Sequence, residues 1–173
     1  RRSSDLVIRD AVVQDRGVAR RDAAGRLLGA LDVPNGTTTA GCDHANAVMF
    51  KGAAQKADWY VGLIDHAGFA ALSAADSAAA HPGWNEYVGV SARPAWGRGT
   101  PAAGVLPSSA PAYAAVTASG TVRGAFLTTS AAPGVAAPGD VLFCTAAADA
   151  GLPVVAGGTV TLTYLTRGTP GAD

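Results

Sequence analysis

Charge is scarce in this chain. Asp, Glu, Lys and Arg make up 15% of its 173 residues, against roughly 25% in an average soluble domain. Thirteen basic residues balance thirteen acidic ones, so no global field draws in nucleic acid or an anionic membrane. Long apolar runs are missing too. No stretch approaches the ~18 residues of a membrane span, and Arg1-Arg2 lead into polar Ser3, Ser4 and Asp5, unlike a signal peptide. The expectation is a protein made or assembled in a cytoplasm. Cys42 and Cys144 are the only cysteines, and without a secretory context they read as buried thiols in preference to a bridge.

The residues that catalysis requires are equally thin. His44, His66 and His81 are the only histidines, and none has the close spacing of a metal-binding cluster. Cys42-Asp43-His44 offers two ligands at most. There is no Gly-x-Ser-x-Gly elbow, no glycine loop followed by Lys-Ser/Thr, and no interleaving of Arg with aromatics as on a nucleic-acid platform. Asp65, Asp76 and Glu86 are the carboxylates to consider for glycoside cleavage. Each has a simpler local role, in a turn, at a helix cap and on a strand surface. The chain therefore reads as non-enzymatic, with no metal and no cofactor. Sparse charge is expected where other protein chains cover part of the surface, or where codon usage favours Ala, Gly, Arg and Pro.

What the chain does have is concentrated in Asp58 to Trp96. All three tryptophans lie there, with Tyr60, Tyr87 and two of the histidines. Each aromatic buries roughly 150–250 Å², and most of the remaining chain is small, so this stretch is expected to nucleate the core. Trp59 and Trp84 read as core. Trp96, at the edge of a Gly/Pro-rich loop, is the candidate for an exposed aromatic contact.

Residues 1–46 look different. Arg9, Arg16, Arg20, Arg21 and Arg26 alternate with Asp5, Asp10, Asp15, Asp22 and Asp32, and no large aromatic precedes Phe50. So polar a segment cannot bury enough apolar surface to fold alone. It reads as an extended arm that docks on a partner, its arginines making forked bonds to carboxylates. Within it, residues 21–36 suggest a hairpin or strand pair, closed by the turn Pro34-Asn35-Gly36.

From residue 47 the pattern is β. Residues 47–51 read as a first core strand and Trp59 to Ile64 as a second, rich in aromatic and β-branched residues. Asp65-His66-Ala67-Gly68 has the chemistry of a tight turn. Ser73 with Asp76 resembles a capping box, predicting one or two helical turns up to Ala80. In a strand over 84–91, Trp84, Glu86, Val88 and Val90 would face one way. Ala112 to Ala118 alternates, with Ala114 and Val116 on one face and Tyr113 on the other. Val122, Gly124 and Phe126 would share a face of the next strand. Residues 140–145 read as a buried strand, and Thr159 to Thr166 has a period-2 pattern with Val160, Leu162 and Tyr164 inward. Roughly eight short strands with almost no helix predict an antiparallel sandwich or barrel over residues 47–168, followed by a short tail at 169–173.

Several motifs in order carry a family likeness. They are Phe50-Lys51-Gly52, Trp59-Tyr60-Val61-Gly62-Leu63-Ile64-Asp65, Gly68-Phe69, Asp76, His81-Pro82-Gly83-Trp84-Asn85-Glu86 and Arg93-Pro94-Ala95-Trp96. Gly120 to Leu127 and Thr163-Tyr164-Leu165 follow. Together they resemble a group of small virion proteins of tailed bacteriophages, over about residues 47–166 and not in the arm. The resemblance implies a jelly-roll β-sandwich that decorates and cements the capsid exterior. It would sit on the major capsid protein lattice after assembly in the host cytoplasm, as a homo-dimer or homo-trimer. It implies no nucleic-acid or membrane partner. The alternative is a head- or tail-fibre module that recognises host glycans through exposed aromatics such as Trp96.

Overall fold

Pairing between the two ends of the chain sets the architecture. The computed structural model describes residues 17–21, 26–32, 36–103, 105–163 and 165–167. In them β1 (Gly17–Arg21) lies between β2 (Leu27–Asp32) and β9 (Thr159–Leu162), and β9 continues to β6 (Ala112–Ala115). A second antiparallel sheet has the order β3 (Gly36–Thr37), β8 (Leu142–Val154), β7 (Gly120–Thr128), β4 (Tyr60–Asp65). A two-stranded piece joins β5 (Val105–Pro107) to β10 (Leu165–Arg167).

The protein is an all-β sandwich with one short helix, α1 (Thr39–Lys51). Val18, Val160 and Leu162 of the first sheet share a core with Val61, Leu63, Val122 and Cys144 of the second. Neighbours in sequence, β1 with β2 and β7 with β8, are also neighbours in a sheet. That order does not by itself identify the sandwich as a jelly roll.

The second sheet is buried on both faces. Its outer face carries Ile64, Phe126 and Leu142, covered by Trp84, Phe69, Leu72 and Ala78 from the long connection after β4. Two register shifts in the β7–β8 ladder distribute side chains between the layers, one around Arg123 and one at Leu127/Thr128. An extra residue in a ladder turns the following side chains to the other face. Val122 therefore belongs to the inner core and Phe126 to the outer one, and the face expected to hold both is divided by the shift.

Four other expectations change. The boundary at residues 46/47 falls inside α1, and residues 17–46 are part of the domain: β1 is an interior strand, with Val18 buried. Their low apolar content misled because Ala and Gly suffice where the bulk comes from β9, far along the chain. A strand pair does form, but four residues of β1 precede the range 21–36 expected for it, which holds only Arg21 and β2; residues 1–16, 22–25 and 33–35 of the proposed arm and the tail at 169–173 lie outside the described residues. Residues 47–51 are the end of α1 and not a strand. Around Ser73 and Asp76 only a turn forms. Across 84–91, Trp84 and Tyr87 are both buried and Val88 is exposed, because the segment touches the sheets through isolated bridges instead of running as a strand.

Those bridges close one side of the sandwich. Val61 N–H donates to Pro94 O (3.0 Å), Tyr87 N–H to Leu63 O (2.8 Å) and Trp96 N–H to Trp59 O (2.7 Å), so residues 85–96 cover the edge of β4. Thr117 N–H donates to Gly89 O (2.8 Å) and Ser91 N–H to Ala115 O (3.2 Å), reaching the end of β6 in the other sheet and the chain just beyond it. Such contacts satisfy backbone groups that an open edge would leave unpaired.

α1 is fixed at its start. Thr38 caps it by accepting from Gly41 N–H (3.0 Å) while its hydroxyl donates to Leu142 O (2.5 Å). Thr38 N–H donates to Phe143 O (3.0 Å). At the far end Gly52 takes the left-handed conformation, φ 69°, that terminates helices. Gly41 is the one buried residue of the helix, and a Cβ there would stand 2.2 Å from Phe143 O. We expect Gly41→Ala to lower stability by about 1–3 kcal/mol in thermal or urea denaturation, although Ala is intrinsically the better helix former. Gly36→Ala, whose Cβ would meet nothing within 4 Å, is expected to be nearly neutral. Equal stability of the two variants would refute this docking of the helix.

Candidate functional site

The polar residues of 58–96 are the natural place to look for chemistry, and Asp65, Asp76, His81, Glu86, Tyr87 and Arg93 have internal partners. Asp65 Oδ1 accepts from Ala67 N–H (3.0 Å), as its place in a turn ending at Gly68 (φ 73°) requires. Asp76 is buried, and its Oδ2 accepts from Ser73 N–H (2.9 Å) and from the Trp84 ring N–H (2.8 Å). The capping-box pairing thus forms without a helix, and the same carboxylate anchors the outer tryptophan. His81 stacks on Trp84, ring centroids 3.9 Å apart, with its Nδ1 2.9 Å from Trp84 O.

Glu86 and Arg93 form the strongest polar contact. Arg93 Nε donates to Glu86 Oε1 and its Nη2 to Oε2, both at 2.7 Å, with each side chain only 6% exposed. Arg93 Nη1 also donates to Ser130 O (2.8 Å), and Gly134 N–H donates to Glu86 Oε2 (2.5 Å). A fork of this kind fixes orientation as well as charge. It ties residues 85–93 to the loop that follows β7. Tyr87 donates its hydroxyl to Ala118 O, and its ring lies over Gly89 and Gly120, where any Cβ would collide with it. Burial first, and then the nearby Asp65 carboxylate, push that hydroxyl above the usual tyrosine range.

Asp65, Asp76 and Glu86 therefore sit in three separate networks and are not brought together. Among the described residues no three of His, Cys, Asp and Glu converge as a metal would need. Cys42 and Cys144 are not joined in a disulfide; Cys144 is buried and Cys42 only partly so.

The expected contact residues fare differently from one another. Arg9 and Arg16 lie outside the described residues. Arg20 donates to Pro153 O (3.1 Å) within its own domain. Arg21 is half-buried and Arg26 exposed, and each already has an interaction of its own. Trp96 must be corrected: it is 6% exposed and its ring N–H donates to Ser108 Oγ (2.8 Å). It is drawn inward because residues 85–96 close the side of the sandwich, placing it in the inner core.

The most exposed large apolar residues lie elsewhere, on the second half of α1, with others dispersed at Leu27, Leu28, Val88 and Tyr113. Met49 and Phe50 are 64% and 66% exposed, on the last turns of a helix whose N-cap is tied to β8. Beneath those turns is an apolar cleft of about 190 Å³, walled by Val48, Trp59, Leu106, Leu127 and Phe143, with Arg98 at its lining. Trp59 meets Phe143 edge-on at 5.5 Å, and His44 meets Trp59 at 5.8 Å. Large apolar side chains beside an open apolar groove mark a contact surface. Reading residues 47–51 as a core strand hid this surface. The signal was present in Thr38 at the N-cap, Lys51 in the last turn and Gly52 just beyond.

Comparison of the chain with protein-family models, with curated proteins and with solved structures finds no match.

Removing one partner of a buried ion pair leaves the other uncompensated. We expect Glu86→Ala to cost about 3–5 kcal/mol in urea denaturation, and the double change Glu86→Leu/Arg93→Met to recover part of that loss. A cost below about 1 kcal/mol, as for an exposed pair, would contradict this reading.

Proposed function

We propose that the protein is a structural virion component that decorates a bacteriophage capsid from outside and cements neighbouring major capsid protein subunits. The observation that carries the reading is the pair Met49 and Phe50, held out on the free end of α1 beside an apolar cleft. A protein that presents large apolar side chains on a rigid helix, and spends its polar ones internally, is suited to binding another protein. The ordered resemblance over residues 47–166 supplies the identity of that partner. The sparse charge suits a surface partly covered by other chains.

Cementing requires contact area repeated by symmetry more than it requires high affinity at one site. A standard interface of about 1,600 Å² per contact suffices when many act together on one shell. The arm reading narrows accordingly. The described residues between 17 and 46 belong to the domain, so the arm reading is left to residues 1–16. Recognition of host glycans is the weaker reading, since Trp96, on which it leaned, is buried.

The test is binding of purified protein to expanded capsids lacking it, read by co-sedimentation and by the temperature at which the capsids rupture. The native chain is expected to bind and to raise that temperature. Met49→Asp/Phe50→Asp is expected to keep its fold and to bind at least about 30-fold more weakly, as for loss of an interface hot spot. Absence of binding by the native protein would sink the proposal, and full binding by the variant would remove α1 from it.

A further inference from the structure

The cleft beneath the last turns of α1 is a slot more than a face. Trp59, Trp96 and Leu127 line it and yet are only 8%, 6% and 1% exposed, so they form a floor that solvent barely reaches. Ala45, Val48 and Met49 of the helix wall one side, and Leu106 of β5 and Phe143 of β8 complete the apolar lining. A dry apolar cavity of about 150 Å³ holds benzene. The cleft, at about 190 Å³, therefore has room for one six-membered ring with a short substituent. Peptide backbone would bring N–H and C=O groups into a lining with few partners for them. Trp59 already meets Phe143 and His44 edge-on, an arrangement that a further ring extends.

The polar part of the lining is of one kind. Among the described residues it consists of His44, Gln55 and Arg98, with no carboxylate. Arg98 is held across the slot. Its backbone bridges to Ser108 on one side, and its Nη2 donates to Ala57 O (2.7 Å) on the other. That leaves further N–H groups of its five, set in the planar fork that matches a carboxylate. Gln55 carries another amide donor. An apolar slot with one fixed cation and no acid is complementary in charge to an apolar acid.

We propose that the cleft is a binding site for a small monocarboxylate whose apolar body is about the size of a benzene ring. The body lies between α1 and Leu106, against Trp59. The carboxylate takes forked hydrogen bonds from Arg98, with the Gln55 amide beside it. The assignment stands on the cleft alone and does not depend on the virion reading. Phe50 is outside the lining, so it stays available to a protein partner when the slot is filled.

Titration of the purified full chain with phenylacetate tests it, read by calorimetry and by tryptophan emission. Saturable binding with a Kd on the order of 1 mM or tighter is expected, in keeping with what so few atoms can supply. Phenylacetamide, the uncharged counterpart, is expected to bind at least about ten-fold more weakly, because it forgoes the charge-assisted bonds. Arg98→Gln should weaken phenylacetate by a similar factor and leave phenylacetamide unchanged, since the slot itself is intact. Ala45→Phe, which fills the slot from the helix, should abolish binding of both. Val48→Trp replaces it if circular dichroism shows that Ala45→Phe does not fold. No saturable binding of phenylacetate, equal affinity for the acid and the amide, or undiminished binding by a folded slot-filling variant would each overturn the proposal. Binding of neither probe together with a dimer in sedimentation would give the cleft to a second copy instead.

Discussion

The buried fork between Glu86 and Arg93 is the contact on which the unusual half of this structure depends. In a chain so poor in charge, one acid and one base are withdrawn from water and aligned at 2.7 Å on both arms of the guanidinium. Desolvation offsets much of the attraction in such a pair, so its value lies less in net stability than in the arrangement it enforces. Both partners also bind the backbone beyond β7, at Ser130 and Gly134. The segment between them, Tyr87 to Ala92, is thereby held where it can bond to β4 on one sheet and to the chain beyond β6 on the other. An irregular connection becomes a side wall.

The wall also solves a shortage of bulk. Eleven aromatic rings serve the whole chain, and the segment deals several of them to two layers. Tyr87 and Trp96 join Trp59 in the inner core, while Trp84 packs with Phe126 on the outer face of the second sheet. Glycines make room for them. Phe126 lies across Gly62 and Tyr87 across Gly89 and Gly120, positions where a Cβ would come within 2.1–2.6 Å of the ring. Small residues and few large ones are thus complementary, and the Ala/Gly-rich composition is part of how the core fills. Met49 and Phe50 are the most exposed of the large apolar residues left on the surface, with Tyr113, Val88 and Leu27 next.

The β-character of the chain was legible from local pattern where strands are regular. The alternation from Ala112, the run from Gly120, the start of β8 and the period of β9 all correspond to elements of the sandwich. Local pattern failed where the partner is distant or the register breaks. β1, with Val18 its one bulky apolar residue, is too polar to announce itself, and only pairing with β9 makes Val18 a core residue. The shift around Arg123 could not be read from Val122, Gly124 and Phe126, which look evenly spaced. Ala47 to Lys51 suits a strand as well as a helix over so short a window, and the caps at Thr38 and Gly52 decide for the helix. Trp96 looked exposed because it borders a loop, yet the wall carries it inward. In the stretch 58–96 the turn role of Asp65 was readable, whereas Glu86, expected on a strand surface, is buried against Arg93, and Asp76 anchors Trp84 without capping a helix. The contact surface on α1 was not.

Native-state hydrogen exchange tests the central claim most directly, namely that residues 85–96 are an integral wall and not a surface loop. Tyr87 and Trp96 N–H donate to β4, and their protection can be compared with that of the β7–β8 ladder. Amides that open only with global unfolding share one free energy of exchange, whereas loop amides exchange with far less. The account predicts that Tyr87 and Trp96 exchange with nearly the free energy of Phe126 and Cys144. Exchange at the rate of an unprotected loop would contradict it.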